Sequence, residues 1–147
     1  MKIKLLPFAL LVFILISSII FGCKKKKEEE TPAANTSTNA DYAGTWSVNE
    51  TCTSAWSYQM TVAASGSNGL TITNFHKGTQ ATGFSITATV SDKTITIPTQ
   101  QATSTSQGGP YTFAGSGTFT PSSSMSITYT MKDVAGNSIS CTSTCTK

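Results

Sequence analysis

The strongest constraint on this chain is a two-residue period. In Ser124-Met125-Ser126-Ile127-Thr128-Tyr129-Thr130-Met131 every second side chain is apolar, and the others carry hydroxyls. Side chains of an extended strand point to opposite faces in turn, so Met125, Ile127, Tyr129 and Met131 share a buried face while serine and threonine take the wet one. The same alternation runs through Trp46 and Val48, through Tyr58, Met60 and Val62, and through Leu70 and Ile72. It returns at Phe84, Ile86, Ala88 and Val90, at Ile95 and Ile97, from Phe113 to Phe119, and at Ile139 and Cys141. Turn-forming clusters separate these runs: residues 65–69, 91–93, 108–110, 121–123 and 135–137. No segment keeps a helical period over a useful length. The pattern predicts an all-β domain, a small antiparallel meander of about eight short strands.

Charge narrows the partners. Residues 41–147 carry Lys77, Lys93, Lys132 and Lys147 against Asp41, Glu50, Asp92 and Asp133, a formal charge of zero. The net +3 of the whole chain therefore belongs to its first 40 residues, and no arginine occurs anywhere. A neutral domain without arginine or a basic patch argues against nucleic acid as a partner.

The first residues have another character. Met1-Lys2-Ile3-Lys4 precedes an apolar run from Leu5 to Phe21, which ends at Gly22-Cys23. A basic start, an apolar stretch and a small residue before the cleavage point make a secretory signal peptide. The run is about 17 residues, short for a permanent span, and Ser17 and Ser18 interrupt it. Ile20-Phe21-Gly22-Cys23 resembles the lipobox of bacterial lipoproteins, with Phe21 departing from the small residue usual at its position. The resemblance implies cleavage after Gly22 and lipidation of Cys23 with diacylglyceryl and N-acyl (palmitate-type) chains, anchoring the chain in the bacterial outer membrane. Lys27-Glu28-Glu29 resembles the lysine-plus-acidic signal that sends lipoproteins of Bacteroidetes to the cell surface, with a periplasm-facing anchor as the alternative. Thr31 to Ala40 is small and polar and reads as a flexible tether. The expected organisation is signal peptide 1–22, lipidated anchor and charged linker 23–40, and folded domain 41–147.

A meander of this size closes into a barrel or splits into a β-sandwich. Gly115 and Gly117 fall on the inward phase of Phe113–Phe119 and suit a sharply coiled barrel strand. Gly44-Thr45-Trp46, the Tyr58-x-x-x-Val62 strand, Ile95-x-Ile97-Pro98 with Gln100 after it, Gly115-Ser116-Gly117-Thr118 and Ile127-Thr128-Tyr129 follow in order. Together they resemble the small lipocalin-like (calycin-type) lipoprotein domains of Bacteroidetes. The resemblance implies a barrel whose mouth takes a small apolar or amphipathic ligand, lined or floored by Trp46, Tyr58, Phe84, Phe113, Tyr129 and Met131. Lipocalins close the barrel floor with an arginine over the tryptophan, and this chain has none, so a deep cup is not carried over. The other expectation is a barrel filled by those side chains, with a Ser/Thr surface that meets a protein or glycan.

In an up-and-down barrel the first and last strands are neighbours, so a Cys52–Cys141 disulfide would staple the closure. In the chain-entropy model a loop of about 90 residues contributes about 4–5 kcal/mol. Cys52–Cys145 and no bridge remain open. Cys141 and Cys145, four apart, are about 13 Å from each other in a strand and out of reach.

No catalytic constellation stands out, and the chain reads as a binding protein rather than an enzyme. His76, the lone histidine, reads as an exposed loop residue. No Cys/His spacing matches a zinc motif, so neither a metal nor another cofactor is expected. The carboxylates are scattered, and no serine sits in a Gly-x-Ser-x-Gly elbow. Asp133 to Asn137 reads as a hairpin turn. Glu50 is the one charge on an inward phase, with Trp46, Val48 and Cys52. It either orients a ligand at the barrel mouth or stands in water at a strand end.

Overall fold

The computed structural model describes residues 38–120 and 123–147. The expected signal peptide, Cys23 and the linker as far as residue 37 lie outside the described residues. Eight strands follow one another: β1 (Gly44–Thr51), β2 (Ala55–Ser65), β3 (Gly69–Phe75), β4 (Phe84–Ser91), β5 (Thr94–Ser104), β6 (Gly108–Thr120), β7 (Ser124–Lys132) and β8 (Ser138–Thr146). Each pairs antiparallel with the next, and β8 returns to pair with β1, from Ser47↔Thr146 to Thr51↔Thr142. The sheet is a closed barrel, so the sandwich alternative does not hold.

Alternation places the core as expected. Trp46, Val48, Met60, Val62, Leu70, Ile72, Ile86, Ile95, Ile97, Phe119, Met125 and Ile127 are buried inside. The outer face is made of hydroxyls, and register aligns them: Thr96, Ser116, Thr128, Thr142 and Thr51 stand in one exposed row across five strands. The glycines of β6 answer a close approach. A Cβ on Gly115 would stand 2.5 Å from Thr128 O and from the Tyr129 Cβ, so this strand packs against β7 only without side chains there.

Two local departures follow from chain chemistry. The turn between β5 and β6 is residues 105–107, and Gly108-Gly109-Pro110, expected as the turn, instead opens β6, with Ser104↔Gly108 as the first pair. Pro98 lacks an N–H, and β4–β5 pairing covers only Thr89↔Thr96 to Ser91↔Thr94. Beyond it the Gln100 side chain takes over, accepting from Thr87 N (2.8 Å) and donating to Thr87 O (2.6 Å).

One pole of the barrel is plugged by a short helix, α1 (Asn39–Tyr42), which starts two residues before the expected domain boundary. Asn39 Nδ2 donates to Gly66 O and Gly69 O, and Tyr42 Oη to Asp92 O. Trp46 Nε1 donates to Tyr42 O at 2.8 Å. A cation does sit over the tryptophan: Lys147 Nζ lies 4.8 Å from the Trp46 ring centroid and donates to Asp41 O.

Candidate functional site

The opposite pole gathers the end of β1, the start of β2, the end of β3, the starts of β4 and β6, the end of β7 and the start of β8. Here Glu50 is drawn inside. It shares the inward phase of β1 with Trp46 and Val48, and the register sets it directly across from Ser143 of β8. Its exposure is 1%. The expectation of a strand-end carboxylate in water is therefore corrected: β1 remains paired to Thr51, one residue past Glu50, which carries the side chain inside.

His76 is corrected as well. It is buried, not an exposed loop residue. The cause is local backbone. Asn74 (φ 59°) and His76 (φ 48°) both adopt left-handed conformations beside a β3–β4 register shift between Ile72 and Phe75. The two-residue period breaks there, and Phe75 and His76 are buried in succession.

These residues form one hydrogen-bonded cluster. Glu50 Oε2 accepts from Tyr129 Oη (2.6 Å), Tyr58 Oη (2.7 Å) and Ser143 Oγ (3.0 Å). Tyr58 Oη in turn accepts from His76 N at 3.1 Å. His76 Nδ1 lies 2.6 Å from Tyr129 Oη and 3.0 Å from Glu50 Oε1. Since the Tyr129 proton goes to Glu50, the tyrosine oxygen accepts from Nδ1–H, which assigns the histidine proton to Nδ1. The approach to Oε1 is close but lacks hydrogen-bond alignment, so Oε1 is a buried carboxylate oxygen without an aligned donor.

Burial by itself pushes the Glu50 acid up. The contacts from His76, Tyr129 and Tyr58 outweigh it and hold the carboxyl below the ordinary glutamate value. Burial first, and then the Glu50 charge, push both Tyr58 and Tyr129 far above the usual phenol value. Both stay protonated and serve as donors. Cys145, free and buried beside the cluster, is pushed up to about 12 by burial and by Glu50.

Around the cluster stands a rim of half-buried residues: Cys52, Trp56, Tyr58, Tyr111, Met131 and Ile139. The segment between β3 and β4 crosses this pole. Gln107 Nε2 pins it by donating to His76 O (2.8 Å), and Ser106 Oγ donates to Thr82 O (2.8 Å). The Cys52–Cys141 disulfide joins the residue just past β1 to the first half of β8 here, as the up-and-down closure implies. The two sulfurs and a ring nitrogen of His76 lie within 4.8 Å of one another.

The seven residues expected to line a ligand site separate into three groups. Trp46 belongs to the plugged pole. Phe84, Phe113 and Tyr129 are buried among one another, with ring centroids 4.9–6.3 Å apart. Tyr58 and Met131 are half-buried at the rim, and Glu50 lies behind them. Sequence reasoning missed Ser143 and misplaced His76. The inward phase of Cys141, Ser143 and Cys145 would have found the serine.

No family model matches this sequence, and no curated protein matches it. Among solved structures, that of EF1p2_mFAP2b bound to DFHBI is similar, with a TM-score of 0.58 and 18% identity over 76% of this chain and 99% of that chain. The likeness is one of fold.

Proposed function

We propose that this chain is a lipid-anchored envelope lipoprotein, held in a bacterial outer membrane through Cys23, whose barrel binds a small amphipathic molecule at the pole bearing Trp56, Tyr58, Tyr111 and Met131. It acts as a binding protein rather than an enzyme. The observation that carries the reading is Glu50 Oε1, a buried carboxylate oxygen left without an aligned donor behind a half-exposed aromatic rim. A ligand with an apolar body and one hydrogen-bond donor satisfies both, since an unpaired buried acceptor costs about 1–3 kcal/mol. The likeness to a structure solved bound to DFHBI supports the same use of the fold.

Native mass spectrometry of the chain purified from an exporting host tests the binding. The expected result is a co-purifying small molecule, or retention of amphipathic donors added as a panel, with retention lost in Trp56→Ala. The same spectrum reports the anchor as an acyl mass increment that Cys23→Ala abolishes. A bare protein that retains none of the panel favours a second reading, a filled barrel acting as an interaction module at the cell surface. The complete burial of Phe75, Phe84, Phe113 and Tyr129 against one another speaks for that reading.

A further inference from the structure

Three potential soft-metal ligands meet at the cluster pole, although no spacing in the sequence announces them. Cys52 lies one residue past the last β1–β8 pair, Cys141 stands across from Tyr129 on β8, and His76 is turned inward by the backbone at the end of β3. The ligand atoms of all three fall within 4.8 Å of one another. A zinc ion bound at about 2.3 Å from sulfur and about 2.0–2.1 Å from imidazole nitrogen needs donors roughly 3.5–3.8 Å apart. The disulfide now bonds the two sulfurs to each other, so reduction must part them to that spacing while the imidazole nitrogen, within 4.8 Å of both, approaches by about 1 Å.

The histidine is already arranged as metal-bound histidines are. Its Nδ1–H is spent on Tyr129 Oη at 2.6 Å, with Glu50 Oε1 at 3.0 Å, which leaves the Nε2 lone pair to bind. The Tyr129 hydroxyl behind the ring fixes its tautomer and orientation, as outer partners of metal-bound histidines do. Tyr129, itself donating to Glu50, thus positions His76, and once the disulfide is reduced the protein offers two thiolates and one imidazole with the fourth position open. Cys52 is half-buried, so the group can be reached from solvent.

We propose that the Cys52–Cys141 disulfide and a Cys2His site for a zinc-class divalent ion are alternative states of this pole, exchanged by reduction. A dithiol reductant supplies two electrons: its two thiol protons pass to the cysteine sulfurs, the Cys52–Cys141 bond breaks, and the reductant leaves as its own disulfide. The ion then takes Cys52 Sγ, Cys141 Sγ and His76 Nε2, and the two cysteine protons are released to solvent. In the oxidised state no thiolate is present, and the pole binds no such ion. The site shares this pole with the ligand-binding reading above but does not rest on it.

The test is a Co2+ titration of the full chain in detergent, oxidised and after reduction and anaerobic removal of the reductant. The reduced protein should take one equivalent, with visible d–d bands and a near-ultraviolet thiolate-to-cobalt charge-transfer band, both erased by Zn2+. The oxidised protein should show neither. His76→Asn, which leaves the disulfide in place for folding, should bind at least tenfold more weakly after reduction, while Cys145→Ser should bind as the parent does. Should reduction alone unfold the barrel, stoichiometric Zn2+ should restore its near-ultraviolet circular dichroism. Absence of cobalt bands in a folded reduced protein, equal binding by His76→Asn, or a reduced chain that Zn2+ cannot refold would each overturn the proposal.

Discussion

Tyr129→Phe isolates the electrostatics of the buried cluster, because it removes one oxygen and leaves the ring. The packing against Phe75, at a centroid distance of 4.5 Å, is retained, and no cavity opens. What disappears is the shortest bond to Glu50, 2.6 Å to Oε2, together with the acceptor of His76 Nδ1–H. A hydrogen bond to a charged group contributes about 1.5–3 kcal/mol, and Glu50 is too deeply buried for water to replace it. The expected loss at neutral pH is therefore about 2–3 kcal/mol, or a fall in Tm of about 10 °C for a domain near this size. The loss should depend on pH. In the native barrel the Glu50 carboxyl lies below its ordinary value, so its ionisation favours folding. That contribution is complete above the unfolded value of about 4.3 and is lost as pH falls through the folded value. The variant lacks one of the contacts that hold the acid down, so burial is opposed less and its acid-sensitive stability is smaller. Urea denaturation at about pH 7 and again well below the glutamate range should show the gap between parent and variant shrinking in acid. An equal gap at both values would refute the reasoning, and Tyr129 would then be stabilising the barrel by packing alone.

Three further outcomes are expected. Gly115→Ala should cost about 1–3 kcal/mol in urea denaturation, since its Cβ would press on the backbone of β7. Gln100→Ala should cost about 1–2 kcal/mol by the same measurement, because the side chain bonds both backbone groups of Thr87 beyond Pro98. Cys145, buried and with its thiol pushed up to about 12, should resist iodoacetamide at pH about 8 in the native barrel and gain the alkyl mass only after denaturation.

The strands were legible because a two-residue period is a local property, and each run from Trp46 to Cys141 sits where its alternation predicts. The closure was legible at one further remove, through the neighbourhood of first and last strands that Cys52 and Cys141 exploit. The cluster was not. Its members lie 26, 53 and 79 residues apart in pairs such as Glu50–His76, His76–Tyr129 and Glu50–Tyr129, and only ring closure brings them together. His76 was the hardest to place, since two left-handed residues and a register shift suspend the alternation just where it turns inward. Glu50 and Ser143 needed only the register of β1 on β8, which puts them face to face.

Return of β8 to β1 also bears on how so plain a surface avoids pairing with copies of itself. The barrel has no formal net charge, so neighbouring molecules gain little mutual repulsion to hold them apart. Its exterior is rich in threonine, a residue that favours strands, which on an open sheet would invite a second molecule to add itself along the last unpaired backbone. A ring has no edge strand to offer: every strand already has a partner on each side over at least part of its length. What β8 prevents by pairing with β1 is therefore templated aggregation, a safeguard that charged proteins share with electrostatic repulsion and this one draws from topology.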